Sequence, residues 1–226
     1  MVYFMIPVLA SFFISVVINI FYSRQLERNV SSHYSKNLNL ISTALTQWLN
    51  QVLSTTNLLI LDDDTNNFIF NDVFPMKENV SQTYSIIKML TMHGATSEFI
   101  SGIAIVKRNS EDVISTYGTS NMRNYFTQNH VYDKYPLEFW DSLSLPSIGY
   151  DILGLSRVSS QKDVIPLVAS GYFGIKSSNI IIIDIDCQAI SNVFLKAELS
   201  EYGEIYIYDK ITHATEIGRA SCRERV

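Results

Sequence analysis

Six residues carry the recognition chemistry that this sequence offers: Tyr117, Arg123, Tyr125, Trp140, Tyr150 and Asp184. A small-molecule site is an apolar, aromatic-lined concavity in which a few polar groups fix orientation. The stretch 121–150 is rich in rings, with Phe126, Tyr132, Tyr135 and Phe139 beside Tyr125, Trp140 and Tyr150. Arg123 and Asp184 supply opposite charges. If they face one cavity, a polar or zwitterionic ligand is favoured. Each residue also has a plainer role open to it. The rings can be ordinary core, Arg123 a solvated loop charge, and Asp184 a strand-end residue capping the helix that follows.

Catalytic and metal chemistry is poorly represented. H-E-x-x-H, C-x-x-C, G-x-S-x-G and phosphate-loop patterns do not occur. His33, His93, His130 and His213 are scattered and lack the flanks of a phosphorylated kinase histidine. No carboxylates are paired at helical spacing for acid–base work. Asp62, Asp64 and Asn66 suggest a calcium loop, but Asn67 and Val73 stand where that loop needs glycine and glutamate. A polar loop ending a helix fits 62–67 better. No catalytic residue, metal or cofactor is therefore expected. The formal net charge of -5 offers no basic field for nucleic acid.

The elements that must position these residues begin with Met1–Tyr22, a run without a charged side chain. About 20 apolar residues cross a bilayer core as a helix. Aromatics near both ends (Tyr3, Phe4, Phe21, Tyr22) suit the interfaces. Residues 1–22 are therefore expected to span a membrane. A cleaved signal peptide is disfavoured, since no basic residue precedes the run and no small-residue cleavage site follows it. Arg24, Arg28 and Lys36 would draw the wrong side inward, which suggests that Met1 is internal to a longer chain. Helix is expected to continue over 23–61, which holds neither proline nor glycine. Tyr34, Leu38, Ile41, Leu45, Trp48 and Val52 alternate four and three apart, a heptad seam. Its distal half is expected to pack on the domain, and its proximal half leaves a homodimer contact open.

Residues 62–200 read as one α+β module. Phe68–Phe74 is short and apolar. Asn79–Met92 is helical in period, with Gly94 as its expected C-cap. Phe99–Lys107 and Val113–Tyr117 form a hairpin around the turn residues 109–112. A loop-rich excursion follows over 121–150, then strands at 156–160 and 164–172. The unbroken run Ile180–Asp186 reads as a central buried strand. Gln188–Ser200 is an amphipathic helix, and Glu204–Asp209 a further strand, the start of a second, truncated module over 201–215.

The last residues, EIGRASCRERV, resemble the in-frame translation of a common sequencing adapter. Residues 216–226 are accordingly expected to be an artefactual tail with no core of its own. Cys222 belongs to that tail, which leaves Cys187 as the one native cysteine, best read as a small buried hydrophobe.

The order of span, long helix, strand pair, aromatic excursion, strand pair ending IIIIDID, helix and the strand EIYIYDK resembles an extracellular Cache sensor, the PAS-like module of bacterial receptors. Its Leu- and Asn-rich helix and Tyr-rich body are most similar to the Cache regions of Firmicute AraC-type transcription regulators and of their partner histidine kinases. The resemblance implies an antiparallel sheet flanked by helices, a small-molecule ligand, no enzymatic activity in this stretch, and an extracytoplasmic position on a membrane anchor. It also implies a missing output domain, AraC-type helix-turn-helix or kinase. Amino-acid-binding members carry a Trp-Tyr pair after an arginine. Here Phe139 and Asp141 flank Trp140, so that signature is not met. A single-anchor surface enzyme or adhesion module is the reading from another class. Independent genomic reads across the Thr215 codon should diverge from GRASCRERV; clones that read through it contradict the adapter origin.

Overall fold

A computed structural model describes residues 2–71, 74, 76, 78–143, 149–159, 161–170 and 179–196, with backbone alone for residues 2–14, 195 and 196. The expected strand Glu204–Asp209, the second module and the tail lie outside the described residues, as does the end of the expected helix 188–200.

Helix α1 runs unbroken over Val2–Leu61, about 90 Å at 1.5 Å per residue. Among the described residues no helix is long and apolar enough to cross a membrane. The expected span falls largely on residues 2–14, whose side chains lie outside the description. From Ser15 onward Arg24, Glu27, Arg28 and Lys36 interrupt the apolar run. The heptad seam divides as a packing helix should. Val52 and Ile41 are buried, Tyr34, Leu45 and Trp48 pack against the core, and Leu38 faces solvent.

The acidic stretch 62–67 is not a loop. Asp62 ends α1 and at once caps α2 (Asp63–Phe70), its carboxylate accepting the Thr65 N–H at 2.9 Å. Asp63 and Asp64 occupy the first turn, where the helix dipole favours anions. Gly94 is likewise no cap: α3 spans Val80–Thr96 and continues through it.

The sheet is antiparallel throughout. Its strands are β1 (Ile100–Lys107), β2 (Asp112–Ser115), β3 (Gly118–Asn121), β4 (Tyr150–Ile152), β5 (Ser156–Val158), β6 (Lys162–Ser170) and β7 (Ile180–Asp186). The order is β3-β2-β1-β7-β6-β4, with β5 also on β6. The expected hairpin and central strand are present. β3 and β4, within or beside the stretch read as loop, are short additions to the edges. After the short helices α4 (Met122–Asn124) and α5 (Leu137–Ser142) of the stretch read as loop, helix α6 (Cys187–Lys196) leaves β7 directly, started by Asp186, whose carboxylate accepts the Gln188 N–H at 2.9 Å.

Strand alternation divides the core in two. On one face Ile103, Ile105, Ile165, Leu167, Ile181, Ile183 and Ile185 pack under the helices, with Val52, Leu59, Phe68, Ile86 and Leu90. On the other, Ala104, Val106, Val168, Ile180 and Ile182 meet the excursion, a run of short turns over 122–143 that contributes Met122, Tyr125, Phe126, Tyr132 and Trp140. Each fully buried isoleucine contributes about 1.5–3 kcal/mol. The Cys187 thiol is half-buried and pushed up to about 12 by desolvation, so it remains a protonated, inert hydrophobe.

Asp62→Ala should cost about 1 kcal/mol by removing the α2 cap. Ile183→Ala, at the centre of the helix-side core, should cost about 2–5 kcal/mol. Urea unfolding of the two variants tests both, and equal losses contradict this division of roles.

Candidate functional site

Asp184 shares the excursion face of β7 with Ile180 and Ile182, and it is 2% exposed. A carboxylate there is costly unless its charge is compensated. The flanking strands give it room and no side-chain donor: Gly102 of β1 and Pro166 of β6 are its direct partners in register. The compensation comes from the excursion. The Tyr132 hydroxyl donates to one carboxylate oxygen at 2.7 Å, and His130 Nε2 meets the other at 2.5 Å.

Local structure explains how those side chains arrive. Asn121 caps a single turn, α4 (Met122–Asn124), accepting the Asn124 N–H at 2.7 Å. A π-helical turn over Tyr125–Asn129 follows, closed by His130 N–H donating to the Tyr125 carbonyl at 2.7 Å. That five-residue closure lays the two rings face to face, 5.2 Å apart and 22° from parallel. The next residues are fixed to β5: Tyr132 bridges Val158, and the Asp133 carboxylate accepts from Ser156 Oγ and the Arg157 N–H. Tyr132 is thereby aimed down at β7.

Tyr117 arrives from the opposite side. It sits in the β2–β3 turn, which Gly118 closes at φ +115°, a conformation that favours glycine. Its ring lies 5.6 Å from that of His130, and its hydroxyl donates to the Ser101 carbonyl at 3.1 Å. A Cβ on Gly102 would stand 3.2 Å from the Tyr117 hydroxyl and 3.5 Å from the Asp184 carboxylate. Glycine at 102 therefore keeps open the space into which both reach. The result is an imidazole between two tyrosine rings, edge-on to a third (Tyr132, 5.0 Å), with a carboxylate at its Nε2.

Of the six candidates, Tyr117, Tyr125 and Asp184 converge here. Trp140 is wholly buried, stacks on Phe126 at 4.7 Å, and donates to the Tyr135 carbonyl; it builds the floor of the excursion. Tyr150 pairs with Ala169 and so belongs to the helix face, opposite Asp184. Arg123 is exposed on α4, and among the described residues no hydrogen bond or ion pair joins it to Asp184. His130 and Tyr132 are the partners that sequence reasoning missed. The one available signal was a polar ring-bearing pair two residues apart inside the aromatic stretch.

Electrostatics follow from burial beside a carboxylate. Desolvation, then the Asp184 charge, raises Tyr125 and Tyr132 well above the ordinary tyrosine range. Tyr117 is raised for the same two reasons, with Lys162 opposing. Asp133, exposed at the rim, is lowered chiefly by the Ser156 hydroxyl. Among the described residues no Ser, Thr or Cys side chain hydrogen-bonds to His130. No group of His, Cys, Asp and Glu there could hold a metal ion.

No protein-family model matches the sequence, and no curated protein is similar to it. Among solved structures, the sensor domain of the Vibrio cholerae histidine kinase DctB matches at TM-score 0.47 and 11% identity, over 71% of this chain and 57% of that one. The ligand-binding domain of the Campylobacter jejuni chemoreceptor Tlp3 matches in two complexes. With 4-methylisoleucine the TM-score is 0.49 at 13% identity, covering 72% of this chain and 62% of that one. With L-norvaline it is 0.48 at 14% identity, covering 73% and 63%. The chain thus spans about six-tenths of the length of the solved chains it matches. All three scores lie below 0.5, and the architecture above rests on its own geometry.

The raised tyrosines set an alkaline limit. Their folded values exceed the unfolded value of about 10, so their contribution is complete below pH ~10 and is lost as pH rises through the folded values. Tyr132→Phe should flatten the fall in stability above pH ~10, measured by urea unfolding along a pH series. An unchanged slope contradicts the burial of this hydroxyl beside Asp184.

Proposed function

We propose that this chain is the extracytoplasmic ligand-sensing region of a bacterial membrane-anchored signalling protein. The observation that carries the reading is the buried Asp184 carboxylate, set among the isoleucines of β7, close to three tyrosines and, among the described residues, met by side chains of the excursion. Structural cores rarely hold such a group, whereas recognition sites need one. The order of elements that resembles a Cache sensor supports the same reading. The ligand is a small polar molecule with a positively charged or hydrogen-donating group for Asp184, and the chain itself performs no catalysis.

The anchor is Met1–Tyr22. Its support is the charge-free run together with the exposure of Val16, Val17, Ile18, Ile20, Phe21 and Tyr22 on neighbouring positions all round α1. Leu38 and Leu40, 58% and 56% exposed on the membrane-proximal half of the Tyr34–Val52 stretch, are where a second copy pairs. Ligand binding shifts α1 through β7 and α6, both of which touch it. In the whole protein the output is an AraC-type transcription regulator, with a histidine kinase as the other form of the same design. A helix-turn-helix pair or a kinase core encoded downstream separates the two.

Thermal-shift screening of the full chain against amino acids, amines, sugars and carboxylates tests the sensor. A ligand at 100 times its Kd should add about 2.7 kcal/mol, or roughly 5–10 °C. The gain should vanish in Asp184→Asn. A ligand whose affinity survives both Asp184→Ala and Arg123→Ala places the site elsewhere.

A further inference from the structure

We infer that His130 is a tethered occupant of a cation subsite, and that the cationic group of a ligand enters by displacing it. The inference rests on the sensor reading above for its physiological role, and on geometry alone for the subsite.

The surroundings of the His130 ring are those of a bound cation. Rings of Tyr125 and Tyr117 lie 5.2 and 5.6 Å away at 22° and 33°, the distances at which a flat cation stacks on an aromatic face. Tyr132 closes a third side at 5.0 Å and 79°. A carboxylate meets the one ring nitrogen that carries a side-chain hydrogen bond. His130 is 5% exposed, so its ring fills the cage.

The remaining charged and titratable groups around the ring come from every packed element. They are Asp184 on β7, Tyr117 from the β2–β3 turn, Tyr125 and Tyr132 from the excursion, and Lys162 on β6, which acts on Tyr117 and is itself paired with Asp186 at 2.9 Å. Of these, Lys162 is the one lysine or arginine, and its partner lies elsewhere. Among the described residues Asp184 is left to His130 and Tyr132, or to a ligand, for its side-chain hydrogen bonds.

The tether is also built to release. His130 follows a π-helical turn, and such turns occur mostly as single-turn irregularities and frequently at functional sites. Tyr117, 66% exposed, forms the solvent-facing wall through which the incoming group passes.

Removing the tether should convert the cage into a site for free cations. In full-chain His130→Ala, imidazolium and methylammonium should each raise the melting temperature saturably, by about 5 °C or more at saturating concentration. The wild type should not respond, and His130→Ala/Asp184→Asn should not respond. Equal responses in the two His130 variants, or none in either, overturn the subsite. If His130→Ala does not fold, His130→Ser serves, because its short hydroxyl side chain leaves the cage part-empty. For the displacement itself, the His130 ring resonances of the wild type are followed by NMR during titration with any ligand found by screening. Large shifts are expected. A ligand that binds while these resonances stay put overturns displacement but leaves the sensor reading intact. Rescue of His130→Ala with no ligand found for the wild type sustains the subsite and counts against the sensor reading.

Discussion

An ionisable carboxylate in the middle of the most apolar strand of the sheet is the constraint on which the rest of this structure depends. Ile180, Ile181, Ile182, Ile183 and Ile185 of β7 are each at most 2% exposed, and Asp184 stands among them. Burial of an isolated charge is far more costly than any single packing gain can offset. The neighbouring strands contribute glycine and proline at that level, neither of which has a side-chain donor. Compensation has to come from above the sheet. The twenty-odd residues of the excursion, with their π-helical turn and their ties to β5, bring one imidazole and one phenol to that point.

The two faces of the sheet then have different tasks. The helix face is a uniform layer of branched aliphatics under α1, α2, α3 and α6, and it is stable for ordinary reasons of burial. The excursion face is aromatic, and its hydrogen bonds run from rings to carbonyls and to one carboxylate. β7 belongs to both. A change at Asp184 on one face is two residues from Asp186, which starts α6, and α6 lies against α1. The distance from the site to the long helix is short and passes through hydrogen-bonded strand, which has little freedom to absorb a displacement.

Much of this was legible in the sequence wherever one local pattern dominated. The unbroken IIII run marked the central strand, and the 4–3 spacing marked the buried stripe of α1. Local patterns that admitted two readings failed. The acidic run at 62–67 looks like a loop because Asp and Asn favour turns, yet the same residues are the best caps and first-turn residues of a helix. Gly94 looked like a stop, but α3 tolerates it within two residues of its end. Tyr150 could be placed on a face only once the register of β4 against β6 was known. His130 and Asp184 are 54 residues apart, and nothing in either flank announces that they touch. Long-range pairing decides such contacts, and a single sequence does not carry it.

The account stands or falls on whether Asp184 and His130 act as one unit. A double-mutant cycle on folding stability, using Asp184→Ala and His130→Ala singly and together, measures that directly. The account predicts a coupling of about 1–3 kcal/mol, with the double variant more stable than the sum of the single losses, because each single change strands the other partner in the interior. Losses that add to within about 0.5 kcal/mol would mean that the carboxylate and the imidazole are neighbours without consequence, and would contradict it.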